Sequence, residues 1–286
     1  MKAMDSTSRS RRTFLTTTAL AAAAASAPAR AWATPSGPRG KAYRLKLGLA
    51  SYSARKLTLD QTLELCRDVD IAYINIKDFH MPRTDSLETN AATRKKIEGA
   101  GLKIMGGGTI TLKNEPAQIR SAFEYARAGG FPLIVAAPEP AALDAIEAAI
   151  KEFDIKVGIH NHGPEDKFFP APQDAYKLLK GRDPRFGLCM DIGHATRAGV
   201  DPVRAAVECR DRLLDVHVKD LKVKTDKDSQ CEVGKGALDI PGLFRALLKI
   251  DYPGHVGLEY EINAEAPQVG IREWFSYMRG VLDSLS

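Results

Sequence analysis

The chain has 286 residues, 44% of them hydrophobic, with 41 Lys and Arg against 36 Asp and Glu for a formal net charge of +5. A chain of this length can bury a sizeable core, and so small a charge excess excludes the basic field that nucleic-acid binding needs. The four cysteines, Cys66, Cys189, Cys209 and Cys231, show no CxxC spacing, so packed free thiols are expected rather than a disulfide framework.

The first 33 residues read as a leader. Ser10-Arg11-Arg12-Thr13-Phe14-Leu15 is a twin-arginine pattern, an apolar run follows over 19–25, and Ala31-Trp32-Ala33 offers the small residues of a cleavage site before Thr34. A signal peptide over 1–33, handled by the twin-arginine export machinery, makes the mature protein periplasmic or otherwise exported. The apolar run is too short for a permanent membrane anchor, and no later stretch qualifies. The leader carries Lys2, Arg9, Arg11, Arg12 and Arg30 against Asp5, a net of +4, which leaves the rest of the chain at about +1 of the total +5.

Residues 34–43, rich in Pro, Gly and Ser, read as a tether. From there strand and helix patterns alternate. Strand one is expected over 45–51 and a helix over 58–69, strand two over 71–76 and a helix over 91–100. Strand three spans 102–105 and ends at Gly106-Gly107-Gly108, read as a close backbone approach, with a helix over 116–128. Strand four covers 133–137 with an Ala-rich helix over 141–153, and strand five 156–160 with a helix over 172–180. Strand six covers 186–190, and one helical stretch leads to strand seven at 213–218. A helix over 241–250, strand eight over 255–260 and a helix over 271–285 close the chain. Eight strands alternating with eight helices predict an α/β fold, a (β/α)8 TIM barrel, filling 44–286 as a single domain. An open doubly wound sheet usually shows a Gly-rich phosphate turn after strand one, and Ala50-Ser51-Tyr52-Ser53 has no glycine there.

The polar residues concentrate at the C-terminal ends of those strands. His80 follows strand two, His160 and His162 end strand five, His194 follows strand six and His217 ends strand seven; only His255 starts a strand, on the opposite rim. Strand eight adds Glu259 and Glu261, of which one is expected to point inward, and strands two and seven add Lys77-Asp78 and Lys219-Asp220. His160, Asp191, His217 and Glu259 place one N or O ligand on each of strands five to eight. That set suits one divalent ion, Mn, Co, Zn or Fe rather than Mg. The bland alternatives are that Asp191 only caps the next helix and His217 is a satisfied core histidine. Lys219 reads as a substrate clamp or acid, or as an ion-pair partner of Asp220 or Asp191; Lys235, between Gly234 and Gly236, lies on a loop that could fold over the mouth.

Asp191-Ile192-Gly193-His194, His217-Val218-Lys219-Asp220, the Gly234-Lys235-Gly236 stretch with Asp239, and Gly254-His255-Val256-Gly257-Leu258-Glu259 resemble the xylose-isomerase-like TIM-barrel family of sugar phosphate isomerases and epimerases, over nearly all of 45–285. The resemblance implies that Asp191, His217 and Glu259 bind the metal. Where the family usually carries Glu followed by Asn-His, this chain has His160-Asn161-His162, which resembles the inosose dehydratase-like members. In the epimerases two ligand glutamates share the proton shuttle, one on each face of an enediolate.

These readings converge on a metal-dependent sugar or keto-sugar isomerase or epimerase working through a metal-stabilised enediolate. Glu259, His162 and Lys219 are its candidate catalytic groups, and Lys77, His80, Asn161, His194 and Lys235 its candidate contacts to a small sugar. The alternatives are a keto-sugar lyase or dehydratase on the same site and an exported non-catalytic carbohydrate-binding protein. A nuclease related to endonuclease IV would need a basic face. The oligomeric state stays open, a homo-oligomer included.

Overall fold

A computed structural model describes residues 43–286. The expected leader and all but the last residue of the tether lie outside the described residues. The strands are β1 (Lys46–Ala50), β2 (Tyr73–Ile76), β3 (Lys103–Leu112), β4 (Leu133–Pro138), β5 (Lys156–His160), β6 (Phe186–Asp191), β7 (Leu213–Val218), β8 (Asp220–Leu221), β9 (Gln230–Cys231) and β10 (His255–Leu258). The helices are α1 (Leu59–Asp68), α2 (Leu87–Gly99), α3 (Pro116–Gly129), α4 (Leu143–Phe153), α5 (Pro172–Leu178), α6 (Ile192–Arg197), α7 (Pro202–Glu208), α8 (Ile240–Lys249) and α9 (Gln268–Ser284).

Strands β1 to β7 and β10 close into one barrel in the order β1-β10-β7-β6-β5-β4-β3-β2. Every barrel pairing is parallel, so all eight C-terminal strand ends share one rim. The apolar residues of the strands that face away from the axis pack against the helices in one large core, with Phe123, Phe186, Phe244, Trp274 and Phe275 among its fully buried members. Local signals set the helix starts. Thr58 and Gln61 form a reciprocal capping box at α1, and Ser86 caps α2 four residues before the start expected from its apolar pattern.

Two larger differences from the sequence prediction concern β3 and the helix after β6. The triple glycine does not end strand three; β3 runs through it to Leu112. A Cβ on Gly107 would collide with the Phe131 ring, one on Gly106 would lie 3.0 Å from the Leu133 carbonyl oxygen, and Gly108 has φ +117°. These glycines let β3 approach β4 closely inside a strand, where a sequence pattern reads three glycines as a stop. The single helix expected after strand six is two helices, because Gly199, at φ +78°, and Pro202 break it into α6 and α7. All four cysteines are buried, and none of them forms a disulfide among the described residues. Among the described residues no helix is long and apolar enough to cross a membrane.

Candidate active site

Side chains on a strand alternate between the barrel axis and the helices. His160 is the last residue of β5, Asp191 the last of β6, His217 the penultimate residue of β7, and Glu259 directly follows β10. Their ligand atoms all lie within 4.8 Å of one another, and all four residues are buried. His160 Nε2 and His217 Nδ1 face each other at 3.1 Å, and His217 Nδ1 is 3.5 Å from Glu259 Oε1. Asp191 Oδ2 is buried, 3.8 Å from His160 Nε2 and 3.1 Å from the Lys219 ammonium. Lone pairs of two imidazoles and two carboxylates thus converge on one point, which is the donor set a divalent transition metal prefers. These residues fit the ion that the sequence predicts.

The two oxygens of Asp191 face different neighbours. Oδ1 accepts the His194 N–H at 2.8 Å and caps α6, while Oδ2 turns to the cluster. Asn161 fixes the same strand end from the other side: its Nδ2 donates to the Asp191 carbonyl and its Oδ1 accepts the Asp191 N–H, both at 3.0 Å. Asn161 therefore holds β5 against β6 and is not a lining residue of the cavity. Cys189, one inward position below Asp191, forms another close trio with His160 and His217. Burial raises its thiol well above the ordinary range.

Lys219 is almost wholly buried, with its ammonium 3.1 Å from Asp191 Oδ2, 3.0 Å from Glu259 Oε2 and 3.2 Å from Glu261 Oε2. Burial alone would lower its pKa, but the three carboxylates outweigh that and hold it well above the ordinary lysine value. Its ion-pair partner is Asp191, not Asp220. The expectation that one of Glu259 and Glu261 points inward is corrected: both reach Lys219, because residues two apart on an extended chain share a face. Glu259 is pushed up by burial, yet Lys219, Lys77 and His217 together hold its carboxyl well below the usual range.

A cavity of about 370 Å³ opens above this cluster, lined by Tyr52, Lys77, Phe79, His162, His194 and Glu261, with His160 and Glu259 at its floor. Lys77 Nζ lies 3.3 Å from Glu259 Oε1. His162 Nδ1 lies 3.3 Å from Asp166 Oδ2, and His194 Nδ1 faces the Arg197 guanidinium at 3.2 Å. The sequence pattern missed Tyr52 and Phe79, whose rings meet edge to face at 5.8 Å, because neither is a charged or imidazole side chain of the kind that marks the other strand ends.

Two expected sugar contacts lie elsewhere. His80 is buried behind the rim, with Nδ1 3.0 Å from Ser51 Oγ and Nε2 3.0 Å from Thr62 Oγ1 and 3.1 Å from the Leu57 carbonyl. It ties α1 to β1 and β2 as a satisfied core histidine. Lys235 is exposed and pairs with Glu273 at 2.9 Å, away from the cavity. Its flanking glycines serve Asp220, whose carboxylate accepts the N–H groups of Gly234, Gly236 and Leu238 and so folds the loop onto β8.

His80 makes the fold sensitive to acid. Burial lowers its pKa from the ordinary 6.5, so the folded protein keeps it neutral where the unfolded chain takes up a proton. Burial likewise lowers His160 well below 6.5 and lowers His194. Stability is thus fully present above 6.5 and is lost as pH falls below it, by up to about 1.4 kcal/mol per pH unit for each such histidine. Urea unfolding of metal-free protein at about pH 7.5 and about pH 5.5 measures this loss; His80→Gln should reduce it, and an unchanged slope in that variant would discount His80.

A protein-family profile described as xylose isomerase-like TIM barrel matches residues 50–279. Rhizopine catabolism protein MocC of Rhizobium meliloti is 25% identical over 125 residues, 38% of this chain and 38% of that protein, so the match spans well under half of the relative's length. Among solved structures, an IOLI protein with a bound zinc atom superposes with a TM-score of 0.72 at 16% identity, over 84% of this chain and 99% of that one. The 3-keto-D-glucoside 4-epimerase YcjR of E. coli does so with a TM-score of 0.65 at 16% identity, over 82% and 99%. At those identities the structural likeness speaks to the fold; the profile match, which covers most of the described barrel, shows that the chain belongs to the xylose isomerase-like TIM-barrel family.

Proposed function

We propose that this chain is an exported, divalent-metal-dependent enzyme that isomerises or epimerises a sugar or keto-sugar by moving a proton beside a carbonyl. The observation that carries the reading is the convergence of His160, Asp191, His217 and Glu259, two of which, His160 and Glu259, line an open cavity. A divalent ion held there would supply a Lewis acid that makes a C–H beside a carbonyl more acidic. The chain's own residues do the rest. Lys219 stays protonated and neutralises the crowded carboxylates, while Lys77, at the cavity wall, is placed to donate to a sugar oxygen. Asp166 Oδ2 lies 3.3 Å from His162 Nδ1, so a proton held between them would leave Nε2 with its lone pair as the proton acceptor. Tyr52 and Phe79 offer an apolar wall for the C–H face of the sugar.

A second reading, elimination by a lyase or dehydratase, is favoured by one specific asymmetry. Of the three lining carboxylates, Glu259 and Glu261 stand on the β10 side and Asp78 follows β2, while the β5 and β6 side presents imidazoles from His160, His162 and His194. Unlike groups on the two faces suit one-way removal of a proton and a hydroxyl at least as well as exchange between epimers.

Incubation of the mature protein with 3-keto and free sugars in D2O tests both. Metal-loaded protein is expected to exchange the C–H beside the carbonyl, and chelation should stop it. His162→Ala should slow exchange about 10²–10⁴-fold with metal content unchanged. Product analysis then separates an epimer from a dehydrated sugar. Exchange that persists in chelated protein would falsify the metal-dependent reading.

A further inference from the structure

Beneath the four candidate ligands the barrel interior carries a second polar layer that the proposed chemistry does not use. Asp215 precedes His217 by two residues on β7 and so shares its face; it is wholly buried, as are Asn75 on β2 and His255 on β10. His255 Nδ1 is 3.1 Å from Asp215 Oδ1, and Asn75 Nδ2 donates to Asp215 Oδ2 at 3.2 Å. His255 starts its strand as the sequence predicts, but its ring turns into the barrel instead of facing the opposite rim. Gly48 and Gly257 clear the space for it: a Cβ on either would run into the imidazole. Three buried polar side chains in a barrel core are costly against an apolar filling, so this layer asks for a reason beyond packing.

The reason lies one layer up. His217 turns Nδ1 to the ligand cluster and Nε2 downward, where the Asp215 carboxylate stands 3.7 Å away and no other hydrogen-bond partner meets it. We propose that Asp215, itself aimed by His255 and Asn75, is the positioning residue for the metal centre: it accepts the His217 Nε2–H and thereby fixes the ring as an Nδ1 ligand. A carboxylate behind a ligating imidazole sets the tautomer, locks the ring plane and makes the ligand more basic. The proposal rests on the metal reading above and adds a layer to it. Asp215 Oδ2 lies 3.7 Å from His217 Nε2, so the proposed hydrogen bond requires the ring or the carboxylate to shift when an ion is bound.

The test is zinc affinity, measured by chelator competition on the full mature protein and on Asp215→Asn, His255→Gln and the double variant. Asp215→Asn is expected to bind zinc about 10–100-fold more weakly. His255→Gln should weaken it in the same direction, and the double variant should be no weaker than Asp215→Asn alone, because His255 acts only through Asp215. In the zinc-loaded wild type the His217 Nε2 proton should give a downfield NMR signal, absent from Asp215→Asn. Folded Asp215→Asn that binds zinc as tightly as wild type overturns the proposal, as does an additive double variant. If Asp215→Asn does not fold, His255→Gln and the wild-type proton signal decide, and unchanged affinity with no signal overturns it. Wild-type protein that takes up no zinc overturns the metal reading itself, and this inference with it; zinc-binding wild type beside an unaffected variant overturns the inference alone.

Discussion

Replacement of Asp191 by alanine is expected to abolish metal content and to lower turnover about a thousandfold or more, since a Lewis acid contributes several kcal/mol to such a proton transfer. The residue serves two ends at once, and a pair of variants separates them. Asp191→Ala removes both oxygens: the cap on the His194 N–H, worth about 1 kcal/mol, and the buried oxygen that faces His160 and Lys219. Asp191→Asn keeps a capping oxygen and the side-chain shape but loses the charge. It should fold nearly as well as wild type and still bind little or no metal. Elemental analysis of both purified proteins checks this directly. Full metal occupancy in Asp191→Asn would show that the Asp191 carboxylate is not needed as a ligand.

Lys219→Met should produce the largest loss of stability of any single change at the site. The ammonium is the common partner of Asp191, Glu259 and Glu261, and without it Lys77, 3.3 Å from Glu259, is the remaining lysine paired with them among the described residues. Stranding buried carboxylates in this way costs about 3–5 kcal/mol, which for a domain of this size lowers the melting temperature by roughly 6–20 °C. Two signatures distinguish this cause from a packing defect. Added divalent ion should restore more stability to the variant than to the wild type, because it replaces the missing positive charge. The pH dependence should also shift in a definite direction. In the wild type Glu259 is held well below its ordinary range, so its stabilisation is present above the unfolded pKa and is lost as pH falls. In the variant the carboxylates gain by protonation, so the gap to wild type should narrow on acidification. A gap that is constant with pH and insensitive to metal would assign the effect to lost packing of the lysine stem.

The elements that position this site were largely legible in the sequence. Short apolar runs ending in Asp, His, Lys or Glu gave the strand ends, and caps such as Thr58 marked helix starts; both signals are local, because a strand needs only its neighbours' backbone and a cap only the next turn. The four ligand candidates follow from the barrel rule alone, since a parallel closed sheet brings every C-terminal strand end to one rim. The same rule misplaced His80 and Lys235. A residue just beyond a strand end can turn toward the axis or back over the helices, and only packing chooses. His80 finds Ser51 and Thr62, while Lys235 is turned outward by the glycines that wrap Asp220.

What the sequence by itself determined is the alternation of strands and helices, and with it the barrel and the residue types at its rim. The tertiary structure alone decided which of those side chains converge. Asp191 divides its two oxygens between a cap and the cluster, Lys219 closes an ion-pair knot with three carboxylates, and His255 lies under His217 in space vacated by two glycines. Periodicity along one strand reports which face a residue occupies. It carries nothing about the residue opposite on another strand, and hydrogen-bond partners 40 to 140 positions apart, such as Asp215 with His255 and with Asn75, become neighbours only when the sheet closes.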